Sequence, residues 1–464
     1  MTDAFSYVDS HRDHFLAELK EYLAIQSIST LSEKNDETRR AAEWTAEKLR
    51  AAGLSEVQIY PTPKHPIVYG AWLGAPGAPT VLIYGHYDVQ PVDDPEKKWV
   101  SDPFTPEVRG ENLYARGASD DKGQVYANIK AIEALMHANG GRLPVNVKFL
   151  IEGEEEIGSP NLDHFINANK DLLACDVAVI SDTAILAPDQ PSIVYALRGL
   201  TYLEIEVHGP DHDLHSGQFG GTVHNPLQAL CEIIAALHNP DGSIAIEGFY
   251  DKVRPIDAAE REAMAKTPLS EETWRTQTGA PHSWGEPAYT LRERIGARPT
   301  LEVNGIWGGF TGEGSKTVLP AKATAKVSCR LVADQDPYEV EELIRAQVKK
   351  LTPPTVKSLV RGLNHGYPAI VPIDSAAVGA AVAAYRRGFG AEPVFLREGG
   401  SIPVVATFYK VLGVPVLLVG YGLPDDGAHG PNEKYNLTCL YNGIKTSAAL
   451  LEEISKLTPE KLRL

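Results

Sequence analysis

Cysteine is scarce in this 464-residue chain: Cys175, Cys231, Cys329 and Cys439 lie far apart, with no close pairing. Secreted disulfide scaffolds use dense frameworks of cysteine, so these four read as reduced packing residues. Positive charge is also in deficit, with 44 Lys and Arg against 61 Asp and Glu and a formal net charge of −17. Binding to nucleic acid rests on Lys and Arg neutralising phosphates, which argues against a polyanionic partner. Long apolar runs are missing as well. The best candidate, from Val411 to Gly420, contains Pro415 and reaches about half of the roughly 18 residues that a membrane span needs. The opening MTDAFSYVDSHRDHF has no basic stretch followed by an apolar run, so no secretory signal is visible. The expected setting is the cytoplasm, with neither membrane nor nucleic acid as a partner.

What is present is an ordinary globular composition, 43% hydrophobic and 23% charged. The length suggests two or three domains at about 150 residues each. Apolar positions recur at helical spacing over 8–24 and 37–52, the second run ending at Gly53. Short apolar runs follow at Pro66–Leu73 and Thr80–Tyr84. A helical stretch, Gly123–His137, then leads into Val145–Ile151, and Asp176–Ile180 follows another helix. Alternation of this kind predicts a mostly parallel sheet covered by helices.

From about Gly199 the pattern changes. TYLEIEV at Thr201–Val207 alternates like a strand with one wet face. A helix at Pro226–Leu237 and a polar stretch from Asp241 to Pro299 come next. Strands are expected at Thr300–Ile306 and Ala323–Val332, and an amphipathic helix at Pro337–Leu351. This reads as a smaller α/β unit with an antiparallel sheet. The first pattern resumes with a helix at Ser375–Phe389 and the run Val414–Val419. The expected organisation is a discontinuous domain, 1–198 with 371–464, interrupted by an inserted unit at 199–370.

Four apolar runs end in potential metal ligands. Thr80–Tyr84 leads into GHYDVQP with His86 and Asp88, and Val145–Ile151 into EGEEEIGS with Glu152, Glu154, Glu155 and Glu156. Val177–Ile180 leads to Asp182, and Val414–Val419 to a loop bearing His429. Ligands gather beyond the carboxyl ends of strands in open α/β sheets. RGASDDKG adds Asp120 and Asp121 before a helix, where an isolated Asp would be read as a cap. A lone His at a strand end would read as a surface or core residue and a run of Glu as a solvated turn; the shared placement of all these groups carries the reading. Histidine with carboxylates, and no Cys, suits Zn²⁺ or Mn²⁺. Two His and three carboxylates suit two ions sharing one carboxylate, able to lower the pKa of a bound water toward 7.

GHYDVQP, RGASDDKG, EGEEEIGS, ISD, DLHSG, REGGSIPV and DDGAHGPNE, in this order and spacing, resemble the co-catalytic metallopeptidases that include cytosolic nonspecific dipeptidase and carnosinase. The resemblance runs from about residue 15 to 455. It implies an α/β catalytic domain with a mostly parallel sheet and an inserted smaller α/β lid and dimerisation domain. It also implies two divalent ions per chain, Zn or Mn, one held by His86 and Asp182, the other by Glu156 and His429, with Asp120 bridging. By the same resemblance Asp88 orients His86, and Glu155 is the general base for a water shared by the ions. His215 of DLHSG would reach the partner's site in a homodimer formed through the lid and stabilise the oxyanion, although alone it reads as a helix cap. Arg330 would bind the substrate's C-terminal carboxylate, with Thr317 and Ser401 contacting the substrate backbone and His365 a weaker candidate. Asp rather than Glu at position 182 points within this family to aminopeptidases and dipeptidases. The implied activity is hydrolysis of dipeptides with free termini. The rivals are an N-acyl amino acid deacylase, a carboxypeptidase, a two-metal phosphoesterase and a non-catalytic metal-binding scaffold.

Overall fold

The computed structural model describes residues 3–92, 96–267, 269–399 and 402–462. The chain divides into two compact units: Met1–Tyr195, Val371–Phe395 and Thr407–Leu464 form the first, Ala196–Ile370 and Leu396–Ala406 the second.

The first unit is built on a mixed sheet. Its strands run in the order Glu56–Tyr60, Ile67–Trp72, Asn146–Glu152, Thr80–His86, Val177–Ile180, Val416–Leu418 and Ser192–Leu197. The central four are parallel, and the pairs flanking them on both sides are antiparallel. The parallel centre explains the short, unalternating apolar runs in the sequence. Strands covered on both faces have no wet side to mark with polar residues, and Asn146–Glu152, Val177–Ile180 and Val416–Leu418 are buried at every position. Because the four run the same way, their carboxyl ends open on one edge. Helices Arg12–Leu23, Asn35–Ala51, Lys122–Ala138, Ala376–Gly388 and Leu437–Ile454 supply the rest of this unit's core, with Phe15, Leu49, Ile129, Ala381 and Ile444 all inaccessible to solvent. Asn35–Ala51 stops where the spacing predicted, with Gly53 at φ 102 providing a left-handed exit. Lys122–Ala138 is buried on nearly every face, so its two lysines must be satisfied internally. Lys122 Nζ donates to the carbonyls of Tyr22 (3.3 Å) and Ile25 (2.6 Å), and Lys130 pairs with Glu18 and Glu133.

The second unit holds a four-stranded antiparallel sheet, ordered Thr300–Gly308, Lys322–Leu331, Gly199–His208 and Lys357–Gly366. The alternation in TYLEIEV places Leu203, Ile205 and Val207 in a core shared with Ile233, Ile344 and Val348 of helices Pro226–Ala235 and Pro337–Leu351. The polar stretch 241–299 contains three short helices, Ala258–Ala265, Glu271–Thr278 and Leu291–Gly296. Each starts with a side-chain cap, from Asp257, Ser270 and Thr290, which accounts for helices without a strong apolar stripe.

Candidate metal centre

The carboxyl ends of the parallel strands bring the expected groups together. His86 is the last residue of Thr80–His86, Asp182 lies two residues beyond Val177–Ile180, and Glu155–Ile157 forms a 3₁₀ turn just after Asn146–Glu152. His86, Asp120 and Asp182 form one donor set, and Asp120, Glu156 and His429 a second, with the donor atoms of each set within 4.8 Å of one another. Asp120 belongs to both. Its Oδ1 lies 3.2 Å from His86 Nε2 and its Oδ2 lies 3.0 Å from His429 Nε2. His86 Nε2 is 3.8 Å from Asp182 Oδ2, and His429 Nε2 is 3.2 Å from Glu156 Oε2.

A group of hydrogen bonds behind these donors fixes their aim. His86 Nδ1 lies 3.0 Å from the carbonyl oxygen of Asp88 and 3.3 Å from its Oδ1, so both the backbone and the side chain of Asp88 can take the imidazole proton. The same buried carboxylate accepts from the backbone N–H of Glu155 (3.3 Å) and of Glu156 (3.2 Å), tying the His86 strand to the acidic turn. Asp121 stands at the start of helix Lys122–Ala138 but makes no side-chain cap; its Oδ2 accepts instead from His86 N at 3.2 Å. Gly85 leaves room for that contact. A Cβ there would lie 2.7 Å from Asp121 Oδ2 and 2.4 Å from Val125 Cγ2.

The structure sorts the run of glutamates by what each touches. Glu152 accepts from Tyr84 Oη (2.6 Å) and Ser159 Oγ (2.7 Å). Glu154 accepts from His65 N (2.7 Å) and the amide of Asn161, so both serve the loop. Glu156 joins the donor set and also accepts from Gln90 Nε2 at 2.7 Å. Glu155 is held through its backbone, its N–H by Asp88 and its carbonyl by Gly158 N, and among the described residues its carboxyl takes no hydrogen bond. Gln90 and Glu433 were not anticipated; Glu433 carries the carboxylate on which the Asp120 loop hangs.

The electrostatics of this edge are those of crowded, dehydrated acids. Burial, reinforced by the charge of Asp120, pushes Asp182 up to about 7. Burial also raises Glu155 well above the ordinary carboxylate range, with Asp182 and Glu156 adding to it against the opposing charge of His86. Asp120 goes the other way: burial opposes its ionisation, but hydrogen bonds from His429 and His86 overcome that and lower it. Hydrogen bonds to Asp120 and Glu156 raise His429 to about 10. A site that concentrates buried carboxylates around two histidines is one that a divalent cation would neutralise. The donors, imidazole nitrogens and carboxylate oxygens without a thiolate, fit Zn²⁺ or Mn²⁺.

In the second unit, His215 ends the short strand Leu214–His215, which pairs with Val318–Leu319. Its Nδ1 accepts from Gly217 N at 2.9 Å, capping helix Ser216–Phe219. Thr317 adjoins the same ribbon, its carbonyl accepting from Ser216 N at 3.0 Å, and its side chain is exposed. Arg330 sits half-buried on Lys322–Leu331, opposite Leu200 and Thr300. His365 is paired with Glu341 and stacked on Tyr338. Ser401 lies outside the described residues.

Two donor sets sharing one carboxylate, at the carboxyl ends of the parallel strands, could hold divalent metal and form the candidate centre of a metal-dependent enzyme. The chain belongs to Peptidase family M20/M25/M40, whose profile matches residues 82–453. It is therefore a metallopeptidase, a hydrolase of peptide bonds. It is 36% identical to the Cys-Gly metallodipeptidase of Schizosaccharomyces pombe over 98% of each chain. Among solved structures it resembles human carnosine dipeptidase 1, with a TM-score of 0.82 and 33% identity over 98% of each chain. It also resembles an M20 family metallo-carboxypeptidase from Sulfolobus solfataricus, with a TM-score of 0.84 and 35% identity over 96% of this chain and 99% of that one.

Proposed function

We propose that this protein is a dipeptidase that uses two divalent ions, Zn or Mn, to hydrolyse dipeptides whose termini are both free. The observation that carries the reading is the division of Asp120, one oxygen facing His86 and the other His429. A carboxylate that serves two donor sets is the part a two-ion centre needs and a one-ion centre does not.

Ions held by His86, Asp120 and Asp182, and by Asp120, Glu156 and His429, would supply Lewis acidity toward the scissile carbonyl and toward water. Glu155 takes a proton from the attacking water and delivers it to the leaving amine. Its half-buried position, with its backbone N–H held by Asp88, suits a group that must hold that proton between the two transfers. Asp88 keeps the Glu155 turn and the His86 ring in register. The family resemblance supports His215, contributed by a partner subunit, as the oxyanion donor, and Arg330, Thr317 and Ser401 as substrate contacts. A homodimer through the inserted lid and dimerisation unit is supported by the exposed apolar side chains Val303, Ile306, Trp307 and Phe310, on or just beyond the edge strand Thr300–Gly308. Four unpaired cysteines support a cytoplasmic setting.

A carboxypeptidase reading is favoured by one observation, the likeness to the Sulfolobus solfataricus enzyme. Chelator-stripped protein, reloaded separately with Zn²⁺ and Mn²⁺, is to be assayed on free dipeptides, longer peptides and N-acetyl amino acids. Turnover confined to free dipeptides is expected; preference for longer peptides establishes the carboxypeptidase, and preference for the acylated substrates a deacylase. Glu155→Gln is expected to remove nearly all turnover while leaving metal content unchanged, and retained turnover would overturn the assignment of Glu155.

A further inference from the structure

We propose that the buried ion pair Arg116–Glu433 is the positioning device of the metal centre, fixing the shared carboxylate Asp120 relative to His429. The inference rests on the metal-centre reading above and adds residues to which that reading gives no part. Glu433 is wholly buried, and its two oxygens collect four donors. Oε2 accepts from Gly117 N and from Arg116 Nη1, both at 2.8 Å; Oε1 accepts from Ser119 N at 3.0 Å and Asp120 N at 3.1 Å. The peptide that carries Asp120 is thus hung from a side chain more than 300 residues away in the chain.

Arg116 extends the same connection to the other ligand. Its Nη2 donates to the carbonyl of His429 at 3.3 Å and to that of Pro91 at 3.2 Å. His429 has φ 63, in the left-handed region that non-glycine residues adopt uncommonly. One guanidinium and one carboxylate therefore tie the Asp120 loop, the His429 turn and the loop after His86 to each other.

The geometry makes this fixing necessary. Both oxygens of Asp120 are committed, one to each donor set, so rotation of its side chain cannot compensate for a displaced backbone. The separation of the two donor sets is set by where the peptide of Asp120 sits, and Glu433 sets that. A carboxylate suits the task because it only accepts; an amide in its place would turn an NH₂ group against N–H donors. The sequence shows Arg116 and Glu433 at the ends of two of its motifs, RGASDDKG and DDGAHGPNE, without showing that they meet.

The test is titration of chelator-stripped protein with Zn²⁺ and with Mn²⁺, reading stoichiometry and affinity, alongside the melting temperature of the stripped protein. Partners behind metal ligands are worth about 10–100-fold in affinity. Glu433→Gln and Arg116→Lys are each expected to weaken ion binding by a factor in that range. Arg116→Lys keeps a cation for Glu433 and serves where Glu433→Gln does not fold. Glu18→Gln is the control for general destabilisation. It cuts a buried network with Lys48, Lys130 and Tyr126 in the same unit, and is expected to lower the melting temperature with ion affinity unchanged. Wild-type affinity and stoichiometry in a folded Glu433→Gln or Arg116→Lys protein would overturn the proposal, as would an equal loss of affinity in Glu18→Gln. A wild-type protein that takes up neither ion overturns the metal-centre reading itself.

Discussion

Asp88→Asn is a sharp probe of how the centre is aimed, because the change is nearly isosteric and leaves every metal donor in place. Asp88 is fully buried, and its carboxylate takes backbone N–H groups from Glu155 at 3.3 Å and Glu156 at 3.2 Å while lying 3.3 Å from His86 Nδ1. Asparagine retains one acceptor oxygen. Its NH₂ group must then oppose either the turn or the imidazole, leaving a buried donor unpaired. A hydrogen bond to a charged group contributes about 1.5–3 kcal/mol, which is roughly a ten- to 150-fold change in rate. In the proposed mechanism Asp88 acts through Glu155 and His86, so the loss is expected in kcat at saturating metal, with KM for a free dipeptide little changed. Steady-state kinetics on the variant, with ion affinity measured on the stripped protein, read both terms. Unchanged kcat and ion affinity, or a loss confined to KM, would refute the role.

Gly85→Ala adds a Cβ 2.4 Å from Val125 Cγ2 and 2.7 Å from Asp121 Oδ2; thermal melting is expected to show about 1–3 kcal/mol of destabilisation, and an unchanged melting temperature counts against the packing described. A pH effect is expected at Glu18: burial disfavours its charge, but hydrogen bonds from Lys130 and Lys48 prevail and hold it at about 2. Since its folded value lies below the unfolded value of about 4.3, its stabilising effect is present above pH about 4.3 and fades as pH falls toward 2. The gap in melting temperature between wild type and Glu18→Gln should therefore narrow from pH 5 to pH 2.5, and a constant gap would refute the linkage.

Much of the first unit was legible because burial on both faces leaves a coarse mark. Thr80–His86, Asn146–Glu152 and Val177–Ile180 announce themselves as short apolar runs, and their ends as clusters of His, Asp and Glu. Lys357–Gly366 left no such mark. It is an edge strand with Val360 as its single buried residue, so neither alternation nor an apolar run distinguishes it from a loop. Helix Leu437–Ile454 was not anticipated either, although Leu440, Ile444, Ala448 and Leu451 recur at helical spacing, a signal the sequence does contain.

The residues that stayed hidden at the site share a physical reason. A candidate metal ligand is recognisable from where it sits, at the end of a strand, because the strand leaves a local pattern. A residue that aims a ligand is defined by a contact across the chain, and the backbone N–H groups it receives have no side-chain signature. Glu433 is the clear instance: it follows His429 by four positions and reads as one more acid in a polar loop, yet it meets Gly117, Ser119 and Asp120. Asp121 shows the converse. Its position predicts a helix cap, and the structure turns its carboxylate to the backbone of His86 instead, one oxygen accepting from that buried N–H while the other is buried with no partner among the described residues. A buried donor without a partner costs about 1–3 kcal/mol, as much as a cap is worth or more. At this edge of the sheet the Asp121 carboxylate serves the peptide of His86 and not the start of the helix.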